Sequence, residues 1–382
     1  MKCYGRTTIA EFLGDLVVYR NLQPIDARLP RFPQVARGLG LSPSPVPRKA
    51  EPAYAQAMAK LLHEARRLDE PHAPLRRLLF FGDTRLNDST AFRNIKASAG
   101  WTGWAFIASE DLSHPPRVEI EEDLFLANRW RALGEFLDFL EEDGFPLDEG
   151  TAAIIDLDKT AIGARGRNNS VIDSARVEAV QRTTEGLLKE RFNPAAFQEA
   201  YNELNQAEYH PFTADNQDYL AYVCLMVSAG AYGFRELLDD LASGRMNTFR
   251  QFIERVEKRL RCEPDPLLAP IHDAIYAYVR AGDPTPFKPF RYEEYRQTVA
   301  RMGHLSDEES PDELLAQEIV ITQEVREVAH YLRARGVLLF GLSDKPDEAS
   351  IPRPEQAAEG AQPIHRTETH AVGESIADHS LR

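Results

Sequence analysis

Residues 152–155, Ala-Ala-Ile-Ile, run without interruption into Asp156-Leu157-Asp158-Lys159-Thr160. This stretch constrains the fold more than any other. A short, continuous apolar run is what a strand buried on both faces requires, and such strands belong to parallel sheets with helices on both sides. In open parallel sheets, ligand sites lie at the carboxyl ends of strands. Two aspartates spaced two apart at such an end can share one cation and divide nucleophilic from acid–base work. A strand that merely ends in a polar turn gives the same pattern, so the remainder of the chain has to discriminate.

Two further apolar runs end in the same way. Leu78-Leu-Phe-Phe81 leads into Gly82-Asp83-Thr-Arg-Leu-Asn87-Asp88. Gly82 permits a tight turn, Asp83 then stands at the sheet edge, and Asp88 is placed to cap the helix through Phe92 and Ile95. Val337 to Leu342 leads into Ser343-Asp344-Lys345-Pro346, where Ser343 either starts a turn or presents a hydroxyl at a strand end. Residues 100–107 read as another strand. Lys49 follows a Pro-punctuated loop, residues 41–47, and precedes a helix whose apolar positions Tyr54, Met58, Leu61, Leu62 and Ala65 recur near 3.6 spacing. By spacing alone, Lys49 is a solvated cation.

Periodicity predicts a helix over 121–142 and mostly helical structure over 171–335, including one long helix over 314–332. Arg165 and Arg167 lie in a Gly-rich polar stretch after the two aspartates, suited to a hinge or to a substrate rim. His210, His272, His304 and His330 show no ligand spacing and read as surface or packing residues. From Asp347 onward, Pro, Glu, Ala and Gly dominate and apolar residues are few, which predicts a flexible tail in which Pro363-Ile-His365 is the stretch suited to dock. The net charge of −15, with no basic block, argues against a nucleic-acid partner. Cys3, Cys224 and Cys262 form no CxxC pair. The chain starts without an apolar leader and has no run of about 18 apolar residues, so no membrane segment and a cytoplasmic location are expected.

Asp156-Leu-Asp158-Lys-Thr160 after an apolar strand resembles the first motif, DxDxT, of the haloacid dehalogenase-like phosphohydrolases. Gly82-Asp83 to Asp88 resembles the acidic fourth motif, Ser343 the hydroxyl that ends the second, and Lys49-Ala-Glu-Pro52 the lysine segment before a helix, with one proline fewer. Lys345 is a second candidate for that lysine. The family order is aspartates, hydroxyl, lysine, then GD pair. Here it is Lys49, Asp83 and Asp88, Asp156 and Asp158, then Ser343, which is the same cycle cut elsewhere.

The resemblance implies a circularly permuted, Rossmann-like α/β parallel sheet with a large α-helical cap insert. Residues 1–163 form the first core part, 164–335 the cap, 336–350 the completing strand and 351–382 the tail. It implies a Mg²⁺-dependent phosphatase acting on a small phosphorylated metabolite. Asp156 is then the nucleophile, Asp158 the acid–base residue, and Lys49 and Ser343 the phosphoryl ligands. Asp156, Asp158, Asp83 and Asp88 hold the metal, and Arg165, Arg167 and Lys345 contact substrate. A phosphotransferase on the same scaffold and a non-catalytic binding protein stay open as alternatives, and a homodimer is compatible with the permuted order.

Overall fold

A computed structural model of the chain describes residues 1–376. Among these are ten strands: β1 (Lys2–Thr7), β2 (Val17–Val18), β3 (Arg77–Gly82), β4 (Thr102–Ala108), β5 (Val118–Glu121), β6 (Leu124–Ala127), β7 (Thr151–Asp156), β8 (Ile321–Thr322), β9 (Leu338–Leu342) and β10 (Thr369–Gly373). Seven of them form one sheet in the order β2-β9-β7-β3-β4-β6-β5. Every pair is parallel except β5–β6, an antiparallel hairpin that closes one edge. The chain is thus α/β with a mostly parallel sheet.

The central strands are the uninterrupted apolar runs. All residues of β7 and β9 are buried, as are those of β3 after Arg77. Alternation divides them between two faces. Leu78, Phe80, Ala105, Ile107, Ala152, Ile154, Leu338 and Phe340 pack with the helices Phe32–Leu39, Pro52–Asp69 and Asn87–Ala99 in one apolar core. On the other face, Phe81, Phe106, Phe125, Trp130 and Phe136 meet ring to ring, with centroids 5.2–6.4 Å apart.

The strand order reverses between β3 and β7. From β3 the chain moves outward to β4 and β6, whereas from β7 it moves the other way, to β9. Such a reversal leaves a crevice at the carboxyl ends, where ligands bind in sheets of this kind. The segments after β3, β7 and β9 begin with Asp83, Leu157 and Ser343, which the register sets level with one another.

Three expectations are corrected. The helix read over 121–142 covers only Leu133–Glu142. Glu122 adopts a positive φ of 54°, which turns the chain so that Leu124–Ala127 pairs with β4 as β6. A four-residue apolar run does not separate strand from helix, and here the open flank of β4 selected the strand. The single helix read over 314–332 is broken into Pro311–Gln317 and Gln323–Arg333. The β-branched stretch between them carries β8, and the Val320 carbonyl and Thr322 amide bond to Gly163 and Ala161. The tail is not flexible between 364 and 376. Its strand β10 is wholly buried, pairs antiparallel with β1 and parallel with β8, and sets His370 Nδ1 2.8 Å from the buried Glu318. Residues 377–382 lie outside the described part.

The chain divides into two compact units, one of residues 1–174 with the chain from 298 onward, the other 175–297. The helical insert is therefore shorter than the expected 164–335, because 164–174 and 298–335 belong with the sheet. The second unit is all-helical around Gln217–Ser228, where every residue from Leu220 to Ser228 is buried. Asn193 caps the helix Pro194–Leu204, accepting the Ala196 N–H at 3.1 Å. Inside this unit Asp218 is matched by Arg291, 2.8 Å from its Nε. The three cysteines are free thiols. Among the described residues, no helix is long and apolar enough to cross a membrane.

Candidate active site

Lys49 lies at the centre of the strand ends. It sits just before the helix Pro52–Asp69 and is 6% exposed, so it is not the solvated cation that its loop position suggests. Its Nζ donates to Asp156 Oδ1 at 2.7 Å and to Asp88 Oδ1 at 2.5 Å. Burial works against the ammonium, but the two carboxylates, with Asp344 behind them, hold its pKa well above the ordinary lysine value. Asp156 is 5% exposed; burial pushes its pKa well up, with Lys49 opposing and the Asp88 and Asp83 charges adding to the rise.

Asp88 serves a different end from helix capping. It lies inside the helix Asn87–Ala99, whose N-cap position is Leu86. Its Oδ2 accepts the backbone N–H of Asp83 at 2.9 Å, that of Thr84 at 2.8 Å and the Thr84 hydroxyl at 2.8 Å. Burial alone would raise its pKa, yet Lys49 and these donors outweigh burial and hold it below the ordinary carboxylate value. Both oxygens are thus engaged, and Asp88 fastens the turn after β3.

Gly82 makes this closure possible. A Cβ there would lie 2.5 Å from Asp88 Oδ2 and 2.8 Å from Asp88 Cβ. Gly82→Ala is therefore expected to dislodge Asp88 and, with it, one of the two anchors of Lys49. The expected cost is about 1–3 kcal/mol, as for overpacking a filled core. A thermal melt would show it, and an unchanged melting temperature would refute the account.

Asp83 bonds the Arg165 guanidinium. Burial, then repulsion from Asp88, raises its pKa to about 6 against Arg165. The fold therefore favours its protonated form. Without a divalent cation, this group's contribution to stability should fall as pH rises from the unfolded value of 3.8 through about 6. A displacement of about two pKa steps corresponds to roughly 3 kcal/mol at neutral pH. Melting curves in chelator between pH 4 and 7.5 should show this slope in the wild type and a shallower one in Asp83→Asn, where the contribution of Asp156 in the same direction remains.

Arg165 is fixed at the site on both sides. Its amide donates to the Lys159 carbonyl at 2.8 Å, and its carbonyl accepts from Glu110 N and Trp130 Nε1 at 2.9 and 3.1 Å. Arg167 is not at the site's rim. Its terminal nitrogens bind Glu110 at 2.7 Å and Glu324 at 2.9 Å, in a triad whose side chains are at most 4% exposed. The expected substrate contact of Arg167 is thereby corrected: burial between two carboxylates makes it a structural tie.

Asp158 is half-buried, two residues beyond Asp156 in a turn closed by Ala161 N on the Asp156 carbonyl at 3.1 Å. Lys159 takes a positive φ of 66° in that turn. Ser343 is buried. Its amide is held by the Val18 carbonyl at 3.0 Å and its Oγ accepts the Lys345 N–H at 3.1 Å, which leaves the hydroxyl proton to be donated. Lys345 is itself buried beside Ser343.

The donor set suits a hard divalent cation in kind, since it consists of carboxylate oxygens. It also suits one in charge. Asp156 and Asp88 share Lys49, Asp83 is paired with Arg165, and repulsion from neighbouring carboxylates adds to burial in raising the pKa values of Asp156 and Asp83. The carboxylates do not converge tightly, because Asp156 turns to Lys49 and Asp83 to Arg165. Among the described residues, the group of three whose ligand atoms lie within 4.8 Å of one another is instead Glu257, His272 and Asp273, in the helical unit. Sequence spacing did not bring these three together, since Glu257 is on a separate helix. His272 is already bonded there, to Tyr222 at 2.5 Å and Glu257 at 2.8 Å. No family model, curated protein or solved structure matches the chain.

Proposed function

We propose that this chain is a Mg²⁺-dependent phosphatase of small phosphate monoesters, built on a circularly permuted haloacid dehalogenase-like core. The observation that carries the reading is the buried Lys49 held between Asp156, at the end of β7, and Asp88, in the first turn of the helix that follows β3, at the reversal of the sheet. A lysine enclosed in this way keeps its charge and fixes a carboxylate in one orientation. Both are needed by a nucleophile that must approach a phosphate dianion.

In this reading Asp156 attacks phosphorus, and the ester oxygen departs with the proton of Asp158. Lys49 and the Ser343 hydroxyl hold equatorial phosphoryl oxygens and stabilise their charge in the transition state. Asp158, now a carboxylate, takes a proton from water as the water attacks the aspartyl-phosphate. Inorganic phosphate leaves and Asp156 is regenerated. Asp156, Asp158 and Asp83 would hold Mg²⁺, which when bound would offset the repulsion between carboxylate and phosphate.

The test is phosphate release from an aryl phosphate and a panel of metabolite phosphates, with Mg²⁺ or with chelator. Release that requires Mg²⁺, with acid-labile phosphate on the protein at short times, is the expected result. Release unaffected by chelator would remove the metal assignment. Transfer to an added alcohol, in place of release to water, would move the reading to a phosphotransferase.

A further inference from the structure

Beside Asp83 the sheet carries a cleft of about 240 Å³ over the carboxyl ends of β4 and β6. Its floor is apolar, with Ile107 and Leu126, and its sides are Arg85, Arg117 and Asn128. Asn128 is fixed as a wall, since its Oδ1 accepts the Arg117 N–H at 2.7 Å and its Nδ2 donates to the Pro115 carbonyl at 2.8 Å. The two arginines are placed differently. Their side chains are 64% and 74% exposed, and each is paired with one half-exposed carboxylate, Glu121 or Glu119. Such surface pairs contribute little and exchange readily, whereas a guanidinium binds a phosphate or carboxylate group through two parallel bonds.

We propose that this cleft holds the leaving-group half of the substrate, and that the substrate carries a second anionic group bound by Arg85 and Arg117. The inference rests on Asp156 as the phosphoryl site. Neighbouring strands lie about 4.8 Å apart, so β4 and β6 are roughly 10 and 14 Å from β7. That is the span of one sugar-sized skeleton between two acidic groups. The substrate class is therefore a sugar bisphosphate or a phosphorylated sugar acid rather than a simple monophosphate.

The experiment separates this inference from the catalytic reading by measuring binding without turnover. Asp156→Asn protein in Mg²⁺ is titrated calorimetrically with fructose 6-phosphate, fructose 1,6-bisphosphate and 6-phosphogluconate. At least one of the doubly anionic esters is expected to bind tenfold or more tighter than the monophosphate. Which of them does so identifies the second group as phosphate or carboxylate. Arg117→Ala and Arg85→Ala, each in that background, should bring its affinity down to that of the monophosphate. Glu119→Gln should raise it, an effect opposite to that of losing a structural ion pair. Equal affinity for all three esters, no binding of the doubly anionic ones, or an advantage that survives both arginine substitutions would overturn the proposal. Loss of the catalytic reading is seen separately, as aryl phosphate release by the otherwise unaltered protein that Asp156→Asn does not affect.

Discussion

Asp156→Asn is expected to lower phosphate release by at least a thousandfold while leaving the fold intact. The activity loss follows from the role: an amide oxygen does not form the aspartyl-phosphate, and removing a nucleophile typically costs about 10³–10⁶ in rate. The fold should survive because Asn has the same shape and because burial already disfavours the charge at this position. Lys49 retains Asp88 at 2.5 Å as its counter-charge. A melting temperature within a few degrees of the wild type, with phosphate release reduced to background, is the outcome to look for. Equal release by both proteins would place the chemistry elsewhere. Asp158→Asn provides the companion measurement. With an aryl ester, whose leaving group needs little protonation, phosphoenzyme should form but hydrolyse about 10²–10⁴-fold more slowly, and so accumulate.

Lys49→Met is expected to give the largest loss of stability of any single substitution at the site. Asp156 and Asp88 would then remain buried without their shared cation. Breaking a buried ion pair from one side costs about 3–5 kcal/mol, because the partner charge stays behind in a poor solvent. For a chain of 382 residues, that corresponds to a fall in melting temperature of about 4–6 °C. The physical account also predicts a rescue. In Lys49→Met with Asp156→Asn one of the stranded charges is gone, so the double variant should be more stable than Lys49→Met alone. A coupling of about 1 kcal/mol or more is expected from the double-mutant cycle. Strict additivity of the two substitutions would show that the 2.7 Å contact carries no energy. Lys49→Arg should not restore the protein, since a planar fork replaces a compact charge that serves two carboxylates at once. Activity should be absent from all three variants.

Much of this site was legible in the sequence because its parts stand where local patterns end. The three apolar runs before Asp83, Asp156 and Ser343 have the length and continuity of central parallel strands, and all three became neighbours in the sheet. What each polar group does there was less legible. Asp88 read as a helix cap or as a metal-binding acid, and its partners turned out to be the Asp83 and Thr84 amides and a lysine 39 residues away. Arg165 and Arg167 are two positions apart in one polar segment, yet one reaches Asp83 and the other is buried between Glu110 and Glu324. Nothing local separates them, because the second outcome depends on a glutamate 157 residues downstream. The tail misled for a related reason. β10 has too few apolar residues to signal a strand, and it is held by two strand partners and by Glu318 accepting from Thr369 and His370.

By itself, then, the sequence determined that a parallel α/β sheet would form and that carboxylates and a hydroxyl would stand at its strand ends. Continuous apolar runs must be buried, and polar residues that follow them must emerge at the edge. Only the tertiary structure decided which cation meets which carboxylate, where the helical unit begins, and that the last segment would be a strand. Those outcomes rest on pairings such as Lys49 with Asp156, 107 residues apart, whose energy comes from burial that neither residue's neighbours in sequence provide.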